Sequence, residues 1–326
     1  MAFLVILGGG ESGVGTAILG QKMGYDVFVS DKGKIKEKYK NVLSHYGIDW
    51  EEENHSEDHI LEATIVMKSP GIPDTVPLVK QLVAKGIPVI SEIEFAAKYT
   101  DAKIIGITGS NGKTTTKELI AIVLRKKYNI QATKGNLNNP IGVPLTLLSM
   151  TDKTELGIVE MGANHQKEIE FLCTLCEPDF GYITNFGKAH LAGFGGIAGV
   201  IKGKSELYTF LKENNKTAFI NPEDKIQLEK SKALQAVNFK IDELKFIEVT
   251  PFVKLSYRDI TIQSNLIGVY NYSNIAAAIS IGTYFKVSKE EIKEAIESYV
   301  PQNNRSQIIE TANNKIILDA YNANPS

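Results

Sequence analysis

The stretch Ile104-Ile-Gly-Ile-Thr-Gly-Ser-Asn-Gly-Lys-Thr-Thr-Thr116 joins an apolar strand to a glycine-rich turn and a Lys-Thr pair. Gly109 and Gly112 allow backbone angles that other residues avoid, so successive N–H groups can converge on phosphate oxygens where a helix starts. Lys113 supplies a charge for the outer phosphates, and the Thr114 hydroxyl is suited to ligating magnesium. The stretch therefore predicts an ATP or GTP site.

The match to the usual eight-residue phosphate loop is incomplete, because Ile107 stands where that pattern has its first glycine. The apolar strand before the loop and the helix-forming run from Lys117 to Lys127 still place the loop between a strand and a helix. That context favours nucleotide binding over a chance loop of similar composition.

Length and composition set the outer bounds. The chain has 326 residues, of which 43% are hydrophobic and 23% charged, enough for two or three domains with buried cores. Its net charge of −2 gives no reason to expect nucleic acid or an anionic membrane as a partner. The opening Met-Ala-Phe-Leu-Val-Ile-Leu lacks a basic lead and has only strand length, so we expect a cytoplasmic protein with no membrane partner.

The two cysteines, Cys173 and Cys176, form a single CxxC inside the helical-looking run from Glu168 to Cys176. No second pair of ligands lies nearby in the sequence. Buried free thiols are therefore favoured over zinc binding or redox chemistry.

Strand-like and amphipathic runs alternate from Phe3 to about Leu191, which is typical of α/β folds with parallel sheets. A first unit carries its own glycine loop, Gly8–Gly13, after the strand Phe3–Leu7, and Asp31 ends a second strand that begins at Asp26. This spacing fits a dinucleotide site, another nucleotide site or a structural turn, and the loop alone does not decide among them.

In a second unit two more apolar runs end in polar residues. One run starts at Leu156 and closes on Glu160, and the other starts at Phe180 and leads to His190. The carboxyl ends of parallel strands share one edge of a sheet, so both residues can reach the phosphate loop. Glu160 is a suitable oxygen ligand for magnesium, whereas an isolated His190 is more often a satisfied or exposed loop histidine.

Five ordered motifs resemble those of the ATP-dependent Mur ligases, a family that builds peptidoglycan precursors. They are Thr108–Thr115, Glu160–Asn164, Thr184–His190, Gly203–Tyr208 and Asn271–Asn274. Within the family, residues 1–100 resemble the D-glutamate-adding branch, MurD, through Gly8–Gly13, Ser69–Pro73 and Ile87–Glu94. Residues 101–326 resemble the D-alanyl-D-alanine-adding branch, MurF, through Gly135–Thr146, Glu160–His165 and Leu318–Pro325. This favours an engineered or natural hybrid, with a seam near Tyr99 to Lys103, over a divergent single lineage.

The resemblance implies an α/β architecture in which a Rossmann-like UDP-substrate-binding domain (1–100) precedes a P-loop-type, parallel-sheet ATP-binding domain (101–301). Residues 302–326 are expected to be a linker and the start of a third, C-terminal domain that is otherwise absent. The implied cofactors are ATP and Mg²⁺, and the implied partner is a UDP-N-acetylmuramoyl-peptide, with the protein acting as a monomer.

The resemblance also assigns site residues. The implied ATP-binding residues are Gly109, Ser110, Asn111, Gly112, Lys113, Thr114 and Thr115, with Asn274 for adenine, Arg305 for phosphate and Asp319 for ribose. The implied UDP-substrate residues are Gly8, Gly10, Glu11, Ser12, Gly13, Asp31, Ser69, Pro70, Gly71 and Asn136. The implied magnesium ligands are Thr114, Glu160, His190 and a carbamylated Lys204; Lys113, Glu160, His190 and Lys204 are the implied catalytic residues.

Two assignments have structural alternatives. Lys204, between Lys202 and Glu206, can equally be a solvated lysine, and Ser273 with Asn274 can cap a helix. Tyr270 also stands where relatives often carry histidine, which weakens any role for that position.

The implied reaction has two steps, in which a muramoyl-peptide carboxylate attacks the γ-phosphate of ATP and an amine then displaces phosphate from the acyl phosphate. Because the third domain is expected to bind the amine, we expect this chain to bind both nucleotides without ligating. A non-catalytic nucleotide-binding scaffold, or less favourably an NAD-dependent oxidoreductase, remains the alternative.

Overall fold

The computed structural model describes residues 2–69, 71–97, 101–302, 307–310 and 314–318. The chain forms two compact units, Met1–Thr100 and Asp101–Ser326. Three residues implicated by the sequence, Pro70, Arg305 and Asp319, lie outside the described residues.

The first unit is built on five short strands that alternate with helices. Its elements are β1 (Phe3–Leu7), α1 (Glu11–Lys22), β2 (Asp26–Asp31), α2 (Glu37–His45), β3 (Asp49–Glu52), α3 (Glu57–Ile60), β4 (Ile65–Lys68), α4 (Pro77–Ala84), β5 (Val89–Ile90) and α5 (Glu92–Ala97). All pairs are parallel, in the order β3-β2-β1-β4-β5.

Strand β1 shows why this segment is almost entirely apolar. Leu4 and Ile6 belong to one buried cluster, while Val5 and Leu7 belong to a second. Successive side chains of a strand point to opposite faces, so a parallel strand covered by helices on both sides needs an apolar residue at every position.

The second unit begins with a strand, a phosphate-type loop and a helix. Its elements are β6 (Lys103–Thr108), α6 (Lys113–Leu124), β7 (Ile130–Ala132), α7 (Gly142–Leu148), β8 (Leu156–Glu160), α8 (Glu168–Cys176), β9 (Phe180–Ile183), α9 (Leu191–Phe194), α10 (Ile197–Lys204), α11 (Glu206–Glu213), β10 (Thr217–Ile220), α12 (Lys225–Lys230), β11 (Gln235–Asn238), a 3-10 turn (Ile241–Glu243), β12 (Leu244–Val249), β13 (Phe252–Tyr257), β14 (Ile260–Ile267), α13 (Asn271–Tyr284), α14 (Lys289–Ser298), β15 (Gln307–Glu310) and β16 (Lys315–Leu318).

Six of these strands form a parallel sheet in the order β11-β10-β9-β6-β8-β7. Together with the sheet of the first unit, it confirms the α/β class with parallel sheets. Because β6 lies between β8 and β9, the loops after these three strands emerge side by side at one edge of the sheet.

A three-stranded antiparallel sheet, β12-β13-β14, was not anticipated from the sequence. In β13 the buried side chains Val253, Leu255 and Tyr257 alternate with half-buried ones. That period of two is the signal from which the strand can be read. These buried residues join the main core of the unit, which also contains α6 and α13.

Helix α6 starts at Lys113, directly after the glycine loop, and ends at Leu124, within the helix-forming run from Lys117 to Lys127. Helix α13 starts at Asn271, so Ser273 and Asn274 lie within its first turn and do not cap it. No helix in the described parts of the chain is long and apolar enough to cross a membrane.

Candidate functional site

The loop after β6 is held in place by the segment that follows β9. The Ser110 amide donates to the Asn185 carbonyl at 3.0 Å, and the Asn111 amide donates to Asn185 Oδ1 at 3.0 Å. Gly109 has φ of +139°, and a Cβ there would lie 2.1 Å from Thr184 Oγ1. Only glycine fits such a close approach in this backbone conformation, so the loop geometry is fixed by the fold without a ligand.

Lys113 lies over this loop. Its Nζ donates to the carbonyl oxygens of Gly109 at 2.7 Å and of Ser110 at 3.2 Å. The first-turn amides of α6 have no acceptor within the helix, and they directly follow this loop. The Lys113 ammonium group and these amides therefore lie close together. This places positive charge where phosphate groups bind at a helix N-terminus.

Glu160 ends β8 next to the loop and is only 1% exposed. Its Oε1 accepts hydrogen bonds from Thr114 Oγ1 at 3.1 Å and from Asn138 Nδ2 at 2.8 Å. Its Oε2 is buried and has no hydrogen-bond partner among the described residues. The nearest positive charge is Lys117 Nζ, 3.9 Å away, so one carboxylate oxygen is left for a further positive group.

Sequence reasoning missed the two side chains that hold this carboxylate from behind. Lys117 is buried and donates to the carbonyl oxygens of Thr133 at 2.7 Å and Gly135 at 3.2 Å. Asn138 lies in the loop after β7 and belongs to the Gly135–Thr146 motif, which was the available signal. Asn136, the residue of this motif assigned to the UDP substrate, is exposed in the second unit.

The alternative of a solvated Lys204 is wrong, because this residue is 1% exposed. Its Nζ donates to the Ala163 carbonyl at 3.2 Å and lies 5.2 Å from the centre of the Phe194 ring. Burial, with repulsion from Lys113, lowers the pKa of Lys204 to about 7, although Glu168 and Glu206 oppose the shift. The amine is therefore partly neutral near neutral pH.

His190 has a left-handed backbone conformation, with φ of 53°, immediately before α9. Although the residue is exposed, partial desolvation lowers its pKa, and repulsion from Lys204 and Lys113 lowers it further. A neutral imidazole can act as a metal ligand. Within the described residues, no three His, Cys, Asp or Glu side chains gather as a metal-binding group, so coordination here would include other donors such as Thr114.

Asn274 lies next to the loop, since its Oδ1 would be 2.5 Å from a Cβ at Gly112. Its Oδ1 accepts from Thr116 Oγ1 at 3.0 Å, and its Nδ2 donates to Asn271 Oδ1 at 2.8 Å. The side chain is buried and joins α13 to α6. The amide keeps a second hydrogen on Nδ2 and a second lone pair on Oδ1, so these two bonds leave it able to contact adenine, and that role stays a prediction.

The first unit has a second loop, between β1 and α1. Its Gly13 is tightly enclosed, because a Cβ there would lie 1.9 Å from the Gly8 carbonyl oxygen. Asp31 accepts hydrogen bonds from the amides of Gly9 at 2.7 Å and Gly33 at 2.8 Å. It therefore orders both this glycine loop and the loop that follows β2. Ser69 lies beside the loop as well, since its Oγ would be 2.4 Å from a Cβ at Gly8.

The remaining residues assigned to this loop have fewer contacts. Gly10 and Glu11 are exposed where α1 begins, and Gly71 is exposed after β4. The Ser12 carbonyl accepts from Thr16 Oγ1 at 2.9 Å within α1. The glycine loop, Asp31 and Ser69 thus meet at the carboxyl edge of the first sheet, where nucleotides bind in such folds.

Cys173 and Cys176 are buried free thiols, as the sequence suggested. Their sulfur atoms lie 3.9 and 3.7 Å from Met161 Sδ. Burial raises the pKa of Cys173 well above its ordinary value and that of Cys176 to about 12. Both side chains therefore pack as apolar groups in the described fold.

Comparison with known proteins agrees with this geometry. The Mur ligase middle domain matches residues 107–282, and the MurD N-terminal domain matches residues 4–76. The UDP-N-acetylmuramoylalanine--D-glutamate ligase of Christiangramia forsetii is 34% identical over 97% of this chain and 72% of its own length. The UDP-N-acetylmuramoyl-tripeptide--D-alanyl-D-alanine ligase of Bacillus subtilis is 34% identical over 69% of this chain and 50% of its own.

A solved structure of MurF from Acinetobacter baumannii superposes with a TM-score of 0.66 and 25% identity, covering 92% of this chain and 66% of that protein. The chain thus spans between 50% and 72% of the length of these three proteins. The MurD match includes the first glycine loop and so favours a Mur-type site there over a nicotinamide site. Both loops lie within segments typical of one family, and the chain belongs to the Mur ligases.

Proposed function

We propose that the chain carries the nucleotide-binding part of an ATP-dependent ligase that extends a UDP-N-acetylmuramoyl-peptide. In this proposal the second unit is a P-loop-type domain that binds ATP, and the first is a Rossmann-like domain that binds the UDP group. The observation that carries the proposal is the buried Glu160 carboxylate, bonded to Thr114 of the phosphate loop with its second oxygen unpartnered.

The residues present fit a magnesium ion. A buried carboxylate oxygen without a donor is stabilised by a hard cation, and carboxylate and hydroxyl oxygens are the ligands that Mg²⁺ prefers. Thr114, Glu160 and His190 would hold it, and a carbamylated Lys204 would help to hold a second magnesium ion. The chemical contribution of magnesium would be to neutralise negative charge on the phosphates of ATP.

Carbamylation of Lys204 is supported by its burial. A pKa near 7 leaves a large fraction of neutral amine, whereas an ordinary lysine is almost fully protonated at that pH. The neutral nitrogen attacks the carbon of CO₂, one C=O electron pair moves to oxygen, and one amine proton leaves to solvent. The product is an anion, so the Lys113 charge that disfavours the ammonium form would stabilise it.

The proposed reaction joins an acid and an amine at the expense of ATP. The muramoyl-peptide carboxylate attacks the γ-phosphorus, ADP leaves, and an amine then attacks the acyl carbon and expels phosphate. Lys113 and the α6 amides would stabilise charge on the transferred phosphoryl group, and the rigid loop would hold ATP in one orientation. This work is positioning and electrostatic stabilisation, so no further acid–base pair is required.

The pairing of the two units is also part of the proposal. The first unit matches the MurD model, while the relatives include both a D-glutamate ligase and a D-alanyl-D-alanine ligase. A hybrid of two branches stays a prediction, because the D-glutamate ligase of Christiangramia forsetii alone matches 97% of the chain, and a cloned genomic frame across codons 95 to 105 tests it. Which amine is added, and whether this polypeptide binds nucleotides without ligating, stay predictions.

Calorimetric ATP titration with and without Mg²⁺ tests the ATP site. We expect Mg²⁺ to tighten ATP binding by about tenfold, and Glu160→Gln, which keeps the shape but removes the charge, to abolish this enhancement. Glu155→Gln, just before β8 and exposed, is the matched control.

Removing the Glu160 charge also takes away one of the two carboxylates beside Lys117, the other being that of Glu118 at 3.7 Å, so thermal unfolding of the variant is measured in parallel. If Glu160→Gln does not fold, Thr114→Ala tests the same site from the loop side. ATP binding that is independent of Mg²⁺ in the unmodified protein would contradict the proposal and favour a non-catalytic nucleotide-binding scaffold.

A further inference from the structure

A polar cluster lies behind the first glycine loop, at the carboxyl ends of β2 and β3. We call Ser30, Glu51, Asn54, His55 and Ser56 the Ser30–His55 cluster. Ser30 is fully buried, pairs with Leu7 on one side and Glu51 on the other, and accepts the Gly8 amide on its carbonyl at 2.9 Å. The cluster is thus joined directly to the loop proposed to bind the diphosphate.

The hydrogen bonds of Glu51 fix its charge. It accepts from the Ser56 amide at 2.8 Å, Ser56 Oγ at 2.6 Å, Asn54 Nδ2 at 3.3 Å and Ser30 Oγ at 2.7 Å. Although burial opposes it, this set of donors lowers the pKa of Glu51. The carboxylate is ionised at neutral pH and acts only as an acceptor.

The charge of Glu51 in turn fixes the tautomer of His55. Ser30 has one hydroxyl hydrogen, and the ionised carboxylate 2.7 Å away takes it. His55 Nδ1, 2.6 Å from the same oxygen, must therefore carry a hydrogen and donate it to Ser30. In the neutral ring Nε2 then has a lone pair, so it is a hydrogen-bond acceptor.

Nε2 of His55 has no hydrogen-bond partner within the described parts of the chain, and it is not among their buried unpaired atoms. The ring is half-buried, and desolvation lowers its pKa, although the charges of Glu51, Asp31 and Glu57 oppose the shift and Lys32 assists it. His55 is thus neutral at neutral pH, with one acceptor held in a fixed ring and left for a ligand.

We propose that His55 is a specificity-determining residue whose Nε2 accepts a hydrogen bond from the ring N–H of a uracil base. The inference rests on the proposed function, in which the first unit binds a UDP group. In doubly wound sheets nucleotides bind outside the carboxyl ends of the strands, and the acidic residue that ends the second strand lies near the ribose. Asp31 ends β2, and His55 follows the neighbouring strand β3 at the same edge of the sheet, so the proposal places the base on the β3 side of the ribose.

The choice of uracil follows from the direction of the hydrogen bond. Uracil carries a hydrogen on N3, whereas cytosine has a lone pair at that position, which would face the lone pair of Nε2. A site whose acceptor matches one base and repels the other discriminates by more than the strength of the bond itself. The Ser30–Glu51 pair acts through His55 and serves to position it.

The first experiment measures the affinity of the full 326-residue protein for UDP, CDP and 3-methyluridine diphosphate, which lacks the N3 hydrogen. We expect UDP to bind about tenfold more tightly than the other two. His55→Phe should bring UDP to the affinity of CDP, while His55→Gln, which retains an acceptor, should restore part of the preference. His45→Phe, at an exposed position in α2, is the matched control.

The second experiment follows the ratio of UDP to CDP affinity with pH, because protonation of the diphosphate affects both ligands alike. Below the lowered pKa of His55 the ring gains a hydrogen on Nε2 and becomes a donor. UDP binding should then weaken and CDP binding strengthen, and His55→Phe should show neither change. A cluster that only stabilised the loop would not move this ratio.

The results distinguish the role of His55 from the proposed binding of UDP by the first unit. If UDP binds and His55→Phe leaves its preference over CDP unchanged, the role of His55 is wrong while the proposed function stands. If neither UDP nor CDP binds the unmodified protein, the proposed role of the first unit is itself wrong. Ser30→Ala checks the positioning, and an unchanged UDP preference in that variant would show that Ser30 does not set the tautomer.

Discussion

The two glycine loops of this protein have the same local plan but differ in what lies behind them. In the first unit, Asp31 is bonded to two backbone amides and Glu51 receives four hydrogen bonds. In the second, Glu160 keeps an unpartnered oxygen, and Lys204 is buried with a pKa near 7. The first loop has its charges satisfied by the protein, whereas the second leaves charge to be balanced by something bound.

This difference separates recognition from chemistry. Carboxylates whose hydrogen bonds are all made within the protein are held rigidly. Such groups are suited to recognising the shape and hydrogen-bonding pattern of a nucleotide. Buried charges without partners raise the free energy of the empty site. Binding of a cation or a charged ligand lowers that free energy. A glycine motif alone predicts phosphate binding in both units and does not distinguish these roles.

The largest effect is expected from a substitution that disrupts the first loop only. Gly13→Ala places a Cβ 1.9 Å from the Gly8 carbonyl oxygen, so the start of α1 must move away from the loop. We expect UDP binding to be lost and the first unit to be destabilised by about 4 kcal/mol. ATP binding to the second unit should persist, as measured by calorimetry with each nucleotide.

The matched control for this change is Gly15→Ala in the same helix. No atom lies within 4 Å of a Cβ at Gly15, so this substitution should leave UDP binding unchanged and stabilise α1 by up to about 1 kcal/mol. Equal loss of UDP binding in both variants would mean that the helix, and not the close approach at Gly13, controls the loop.

A smaller effect is expected from a substitution that removes a positive charge from the second loop. Lys113→Ala deletes the ammonium group that lies over Gly109 and Ser110, so we expect ATP to bind about 100-fold more weakly. UDP affinity should not change. Lys153→Ala, an exposed lysine of the same unit, serves as the control, and equal losses of ATP and UDP affinity in Lys113→Ala would argue against two independent sites.

The smallest effect concerns stability and pH. The pKa of Lys204 falls from 10.5 to about 7 on folding, so between these values the unfolded chain binds more protons and stability rises with pH. Lys204→Met removes this term. In buffer purged of CO₂, the free energy of unfolding of the parent relative to the variant should rise by about 2 kcal/mol from about pH 7 to about pH 9.

Urea unfolding at several pH values measures this difference, with Lys202→Met as the neighbouring control. A pH-independent difference would mean that Lys204 remains charged in the folded protein. Restoring CO₂ to the buffer then shows whether a ligand of the neutral amine adds stability at neutral pH.

Much of the framework was predictable because strands and helices have strong local signals. The strands Phe3–Leu7 and Leu156–Glu160 and the helix Glu168–Cys176 occur at the bounds suggested by their apolar patterns. The positions of the two glycine loops followed, since loops after parallel strands meet at one edge of a sheet.

Contacts between distant segments were not predictable in the same way. Composition suggested a solvated Lys204, but Ala163 and Phe194 enclose it. The start of α13 was misplaced because Ser273 and Asn274 are good caps in isolation, whereas Asn274 is used to join two helices. Burial and pairing of single polar residues depend on tertiary packing, which no local pattern encodes.

The sulfur atoms near Met161 give the second unit an internal probe. Both cysteines of the chain lie in α8, and the first unit contains none. A buried thiol with a raised pKa reacts with disulfide reagents only when its surroundings open, so the labelling rate reports the opening of this unit alone. Protection from labelling by ATP, and by UDP in a separate sample, would measure how far a ligand of each unit slows the exposure of that interior.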